Sequence, residues 1–193
     1  MKFFEYPYVI ITILAMFFLL MCLVGVYFTF KSVKTARGTA GKSFCGIGKI
    51  ESDFEKAGTF GKKRSVVYIS ISLDGMKRIY SEAKATRMYE QIKRVLLGHF
   101  CFGIGGEISL YGKENFVALN YLDAQDTAQS LDKCLEKLNE VLLKHSAVNV
   151  ARVNFGYHCT SSTEVSFKTA FERAKQACGM AEDKGDAYCE WDS

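Results

Sequence analysis

The sequence predicts an α/β (α+β) domain of the split βαβ, ferredoxin-like kind, behind one membrane-spanning helix. Three observations predict it. Residues 66–73 form a β-branched run in which Ile69, Ile71 and Leu73 alternate with Ser70 and Ser72, the period of a strand with distinct faces. Helical stripes separate further strand-like runs, giving the order β-α-β-β-α-β-α-β, a split βαβ pattern with one additional helix–strand unit. Residues 7–30 carry no charge and are rich in Phe, Leu, Ile, Val and Met. At 1.5 Å per residue they would reach about 36 Å, enough to cross a hydrocarbon core of about 30 Å with some tilt.

The apolar run is longer than the centre of a cleaved leader and has no evident small-residue cleavage site, so it reads as a retained anchor over residues 1–30. Lys2 is offset by Glu5 before it, whereas Lys31, Lys34, Arg37 and Lys42 follow. The positive-inside rule then puts the N-terminus outside and the C-terminal bulk in the cytoplasm. Residues 31–64 hold nine Lys and Arg against three Asp and Glu, while residues 65–193 hold fifteen against seventeen. The basic excess therefore belongs to a juxtamembrane linker, where anionic lipid attracts it, and no nucleic-acid footprint falls on the domain. That linker is expected to end in a short amphipathic lead-in helix near residues 50–57. Seven cysteines at irregular spacing, with no CxxC pair, indicate reduced thiols and no zinc site. Gly41-Lys42-Ser43 resembles the end of a P-loop, but its leading glycine would fall at Ala36 and no strand precedes it.

From residue 65 on, about 130 residues suffice for a hydrophobic core. After Gly75, the spacing of Met76, Ile79, Tyr80, Ala83, Met88, Ile92, Val95 and Leu96 predicts one long helix. Residues 107–110 and 116–122 read as two strands, with Tyr111-Gly112-Lys113-Glu114-Asn115-Phe116 as the hairpin tip. Asp123 can cap a second helix whose stripe is Ala128, Leu131, Leu135, Leu138 and Leu142, with Lys137, Glu140 and Lys144 on its wet face. Residues 148–157 predict a strand. Ser161 and Glu164 form a capping box opening a third helix with Phe167, Ala170, Phe171, Ala174, Cys178 and Ala181 inward. Gly185 stops it, and residues 187–191 form a short edge strand.

A hairpin tip with a glycine, a lysine, a carboxylate and an amide can hold a metal and a phosphate, and equally can be a solvated turn. Gly103, Gly105 and Gly106 precede a strand without the GxGxxG spacing, which makes them a loop and not a dinucleotide site. His99, His145 and His158 lie far apart in sequence with no carboxylate at suggestive spacing, and read as structural or surface residues. The thiols lack an obvious nearby base.

Three stretches resemble the GGDEF family, the diguanylate cyclase fold of bacterial cyclic di-GMP signalling. Ser72-Leu73-Asp74-Gly75-Met76-Lys77-Arg78-Ile79 is similar to the family's D-[IL]-D-x-F-K-x-I. Residues 111–119 are similar to Y-G-G-[DE]-E-F-x-x-L, and residues 174–185 to A-D-x-A-L-Y-x-A-K-x-x-G. Cys45-Gly46-Ile47 is a weaker echo of the family's opening T-G-L, so the resemblance spans about residues 45–192. It implies the nucleotidyl-cyclase fold, a site at the hairpin and first strand, and a degenerate GGDEF domain over residues 65–193.

The departures from the family's motifs fall on its chemistry. In family members that make cyclic di-GMP, two acids hold two divalent cations. Glu114 retains one, and the other falls at Ser72, a poor ligand for a hard cation. Asp74, two residues on and hence on the same strand face as Ser72, is a candidate substitute. Lys113 stands where a glycine lets nucleotide lie against the backbone, and Asn115 replaces the next acid. Guanine-recognising positions fall at Tyr80 and Tyr89, neither of which accepts paired N–H groups as a carboxylate does. Phosphate-contacting cations fall at Glu182 and Asp186, two anions that repel a triphosphate. The inhibitory R-x-x-D would need Arg at Gly103 and Asp at Gly106. Of the hairpin signature, Gly112, Glu114 and Phe116 remain.

The resemblance thus implies a domain that keeps the fold and not the chemistry. No cofactor is expected, and GTP binding is doubtful. Its role would be regulation, through homodimerisation, altered ligand binding, or control of a cyclic di-GMP phosphodiesterase of the EAL type. The alternative is an active diguanylate cyclase that uses Asp74 and Glu114 to hold Mg²⁺ or Mn²⁺. A non-catalytic nucleotide sensor is the third reading.

Overall fold

The structure, a computed structural model, describes Met16 and residues 43–191. The uncharged run 7–30, apart from Met16, and the basic residues Lys31, Lys34, Arg37 and Lys42 lie outside the described residues. Among the described residues, no helix is long and apolar enough to cross a membrane. The unit Ser43–Ser193 is built on a five-stranded sheet.

β1 (Arg64–Ser72) is its centre, because its β-branched residues are buried toward both faces. Val67, Ile69 and Ile71 face one layer, and Val66 and Tyr68 the other. β2 (Glu107–Tyr111) and β3 (Asn115–Asn120) form the expected hairpin. β3 and β4 (Arg152–Thr160) flank β1 in antiparallel register, and β5 (Tyr188–Glu190) adds in parallel beyond β4. The order is β2-β3-β1-β4-β5. This is the mixed α/β architecture predicted from the pattern of runs.

One face carries α3 (Glu82–Leu97) and α4 (Ala124–Lys144), packed through Met88, Ile92, Leu96, Leu131 and Leu138. The other carries α1 (Ile47–Thr59) and α5 (Phe167–Lys184), packed through Ile50, Phe54, Phe171, Ala174 and Cys178. The lead-in helix is thus longer than residues 50–57 and contributes two fully buried side chains to the domain core. It also caps its neighbour: Glu55 Oε1 accepts from the Phe167 N–H at 2.7 Å, satisfying an N–H that a helix start leaves without an intrahelical partner.

Several local expectations are corrected. The long helix after Gly75 is two helices, α2 (Asp74–Ile79) and α3, broken at the extended Tyr80 and Ser81. That break releases Ile79 from the buried stripe and leaves it 62% exposed. Gly98–Gly103 forms a single π-helical turn after α3. Ser161 and Glu164 do not open α5. Ser166 is its N-cap, with Oγ accepting from the Thr169 N–H at 3.2 Å, while Ser162 Oγ takes the Glu164 N–H within the preceding turn. The fourth strand begins at Arg152 and not at residue 148, because the chain around Val150 turns, its N–H bonding to the Ala147 carbonyl. Asp123 caps α4 as predicted, accepting from the Asp126 N–H at 2.9 Å, and Gly185 ends α5 at φ +76°.

Candidate functional site

Register brings the first-strand motif and the hairpin together. Ser70 lies opposite Asn115 on β3 and Asn154 on β4, and the Ile71 N–H donates to the Glu114 carbonyl at 3.1 Å. The tip turns through Gly112 at φ +72°, a left-handed conformation that glycine adopts without strain.

Glu114 is already partnered. The Lys77 ammonium, projected from α2, lies 2.5 Å from Glu114 Oε1. This hydrogen bond holds the Lys77 pKa above its ordinary value, with smaller contributions from Glu114, Asp74 and Glu82 as charges. Ser72 ends β1, and Arg152 stands directly opposite it on β4. Asp74 heads α2 because the chain leaves strand geometry at Leu73 (φ −111°, ψ 9°). The premise that Asp74 shares a strand face with Ser72 therefore fails. The donor set for a divalent cation is a serine hydroxyl, a helix-borne carboxylate and a carboxylate bonded to an ammonium. These residues do not fit a hard cation that wants several charged oxygens. Among the described residues, no group of three or more His, Cys, Asp or Glu forms a metal-binding cluster.

Both tyrosines at the guanine positions have other partners. Tyr89 Oη donates to the Lys113 carbonyl at 2.6 Å, and its ring stands 6.3 Å from that of Phe116. Burial raises its pKa, with the Glu114 charge adding to the shift. Tyr80 Oη donates to the Ser146 carbonyl at 3.2 Å, and Lys84 Nζ lies 3.6 Å from its ring centroid. The Lys113 side chain is exposed, and Asn115 is half-buried at the start of β3. Of the two positions that the resemblance gives to the inhibitory motif, Gly103 has room for a side chain and Gly106 has none. A Cβ on Gly106 would come 2.3 Å from the Leu119 carbonyl oxygen, so the backbone itself excludes a side chain there.

Glu182 and Asp186 are not gathered with Glu114. They line a cleft of about 430 Å³ between α4, the start of β4 and the end of α5. The residues sequence reasoning missed are Lys77 and Arg152. Lys77 sits inside the quoted motif, five places after the end of β1, and its reach to a hairpin acid was the available signal. Arg152 gave no signal until the register was known.

Compared with solved structures, the unit matches the GGDEF domain of DgcB from Caulobacter crescentus, crystallised with c-di-GMP, at TM-score 0.66 and 16% identity over 76% of this chain and 88% of that one. The fold is that of GGDEF domains. The active GGEEF domain of a diguanylate cyclase from Vibrio cholerae matches at TM-score 0.60 and 13% identity, over 78% of this chain and 99% of that one. An EAL/GGDEF domain protein from M. capsulatus matches at TM-score 0.50 and 12% identity, over 72% and 93% of the two chains. No family model and no curated protein matches the sequence. Identities this low carry the GGDEF fold and leave the chemistry to be argued from this chain's residues.

Proposed function

We propose that this protein is a membrane-anchored, degenerate GGDEF domain with a regulatory and not a catalytic role in cyclic di-GMP signalling. The observation that carries this reading is the Lys77–Glu114 pair. The one acid retained at the family's metal positions has an internal ammonium as its counter-ion, and its counterpart is Ser72. A two-cation phosphoryl-transfer site needs carboxylates free to neutralise metal charge, and this hairpin offers none. Tyr89 and Lys113 add to the case, since the tyrosine at a guanine position is bonded to the tip.

In this reading residues 1–30 anchor the chain, and the basic residues that follow keep the domain on the cytoplasmic side. Residues 31–64 link anchor to domain, and residues 65–193 are the degenerate GGDEF domain. Its partner is a second copy or an EAL-type phosphodiesterase of cyclic di-GMP; one structure of similar fold is of an EAL/GGDEF domain protein from M. capsulatus.

The full-length protein in lipid nanodiscs, given GTP with Mg²⁺ or Mn²⁺, is expected to make no detectable cyclic di-GMP. Product formation that disappears in Glu114→Ala would overturn the proposal. Calorimetric titration with GTP separates a nucleotide sensor from a pure protein-interaction module, and weak or no binding is expected.

A further inference from the structure

The cleft between α4, β4 and α5 includes no hairpin residue, but it holds Glu182 and Asp186, where the resemblance puts phosphate-contacting cations. Its volume, about 430 Å³, lies within the roughly 300–1,000 Å³ range of small-molecule sites. Leu138 and Leu142 of α4 and Val153 of β4, all buried, form its apolar floor. Arg152, Glu182 and Asp186 stand exposed at its rim. Among the described residues, none of these three side chains has an ion-pair partner, in contrast to Lys49, Lys63, Lys77 and Lys93 elsewhere on the surface.

The charge at the rim has a sign. Two carboxylates face one guanidinium, and α5 ends between Glu182 and Asp186 at Gly185. A helix C-terminus is the negative pole of its dipole and favours a cation. The walls on the α5 side are held in place. Asn154 Nδ2 donates to the Asp186 carbonyl at 2.8 Å, and the Asp186 N–H donates to the Ala181 carbonyl at 2.8 Å. A multiply charged phosphate is disfavoured there. An ammonium between Glu182 and Asp186, with an apolar body on Leu138, Leu142 and Val153, satisfies both halves of the lining.

We propose that this cleft is a binding site for a small organic amine carrying an apolar body of aromatic size.

The test is methyl-detected NMR on the full-length protein in zwitterionic nanodiscs, with 2-phenylethylamine as the probe and 3-phenylpropanoate as its isosteric anion. Saturable shifts are expected at the methyls of Leu138, Leu142 and Val153 with the amine, and none with the carboxylate. Replacing both acids, Glu182→Gln with Asp186→Asn, should weaken the amine about tenfold or more, because a desolvated ammonium loses both charged acceptors. Both positions are exposed, and a melting curve checks that the variant is folded. Absence of a saturable shift, an equal response to the carboxylate, or unchanged affinity in the double variant would each overturn the proposal. None of these outcomes bears on cyclic di-GMP synthesis.

Discussion

The hairpin tip and the α4–β4–α5 cleft lie at the same end of the sheet, where β1 stops and β4 starts, and they treat their polar groups in opposite ways. At the hairpin, Glu114 has Lys77 and the Lys113 carbonyl has Tyr89. Across β4, Arg152, Glu182 and Asp186 have no ion-pair partner among the described residues and line a cleft with an apolar floor. A site whose acids and carbonyls are bonded internally must break those bonds before it takes a ligand. One whose charges face solvent only has to shed water. Resemblance to a family's motifs points to the hairpin, while the physical chemistry of the residues points to the cleft.

The largest expected effect is at the seam that fixes the second cleft. A Cβ on Gly156 would lie 2.0 Å from the Cys178 nitrogen and 2.2 Å from the Ala174 carbonyl oxygen. Gly156→Ala must therefore push α5 off β4, at a cost of about 3 kcal/mol, read from chemical denaturation. A tolerated substitution would mean that α5, and with it Glu182, is not rigidly seated, and the cleft would lose its claim to be preformed.

Acidification comes next and separates the two flanks. His99 is buried beneath α4, with Nε2 2.8 Å from Ser130 Oγ, and burial together with Lys137 and Lys133 lowers its pKa from 6.5 to about 4. The unfolded chain takes up the proton first, so stability falls as pH drops through 6.5, and the loss levels off near 4. At pH 5 this group alone costs about 2 kcal/mol. His145 and His158 are shifted in the same direction, also first by burial. Thermal melts at pH 7.5 and 5.0 should show the drop, and His99→Gln should reduce it. Hydrogen exchange should report the loosening at α4 before the hairpin.

The smallest effects belong to the hairpin. Tyr89→Phe is expected to cost about 1 kcal/mol, as for one net hydrogen bond, with faster amide exchange near Lys113. Lys77→Met should cost less than about 1 kcal/mol, because the pair is substantially exposed, and that difference should shrink further in salt. A large loss from Lys77→Met would show the hairpin to be a structural keystone and would erase its contrast with the cleft.

Where burial and period coincide, the sequence was legible. The alternation in β1, the stripes of α4 and α5, the cap at Asp123 and the stop at Gly185 all follow from local rules. What it concealed depends on competition between neighbours. Ser161 with Glu164 satisfies the capping-box pattern, yet the helix starts at Phe167, with Ser166 as its cap and Glu55, distant in sequence, accepting the Phe167 N–H. The helix break at Tyr80 sits inside an apolar spacing that suits one helix as well as two. At the site, the replacement of acids and glycines was readable one residue at a time. Their present partners, Lys77 for Glu114 and Lys113 for Tyr89, were not, because they are set by register and reach across elements.

The Glu55–Phe167 contact makes α5 a lever. The helix is 18 residues long, about 27 Å at 1.5 Å per residue. At one end its first N–H is held by a carboxylate of α1, the first helix after the basic stretch. Glu182 and Asp186 lie at its other end, over the open cleft. One helix thus joins the α1 contact at its start to the charged rim of the cleft at its end.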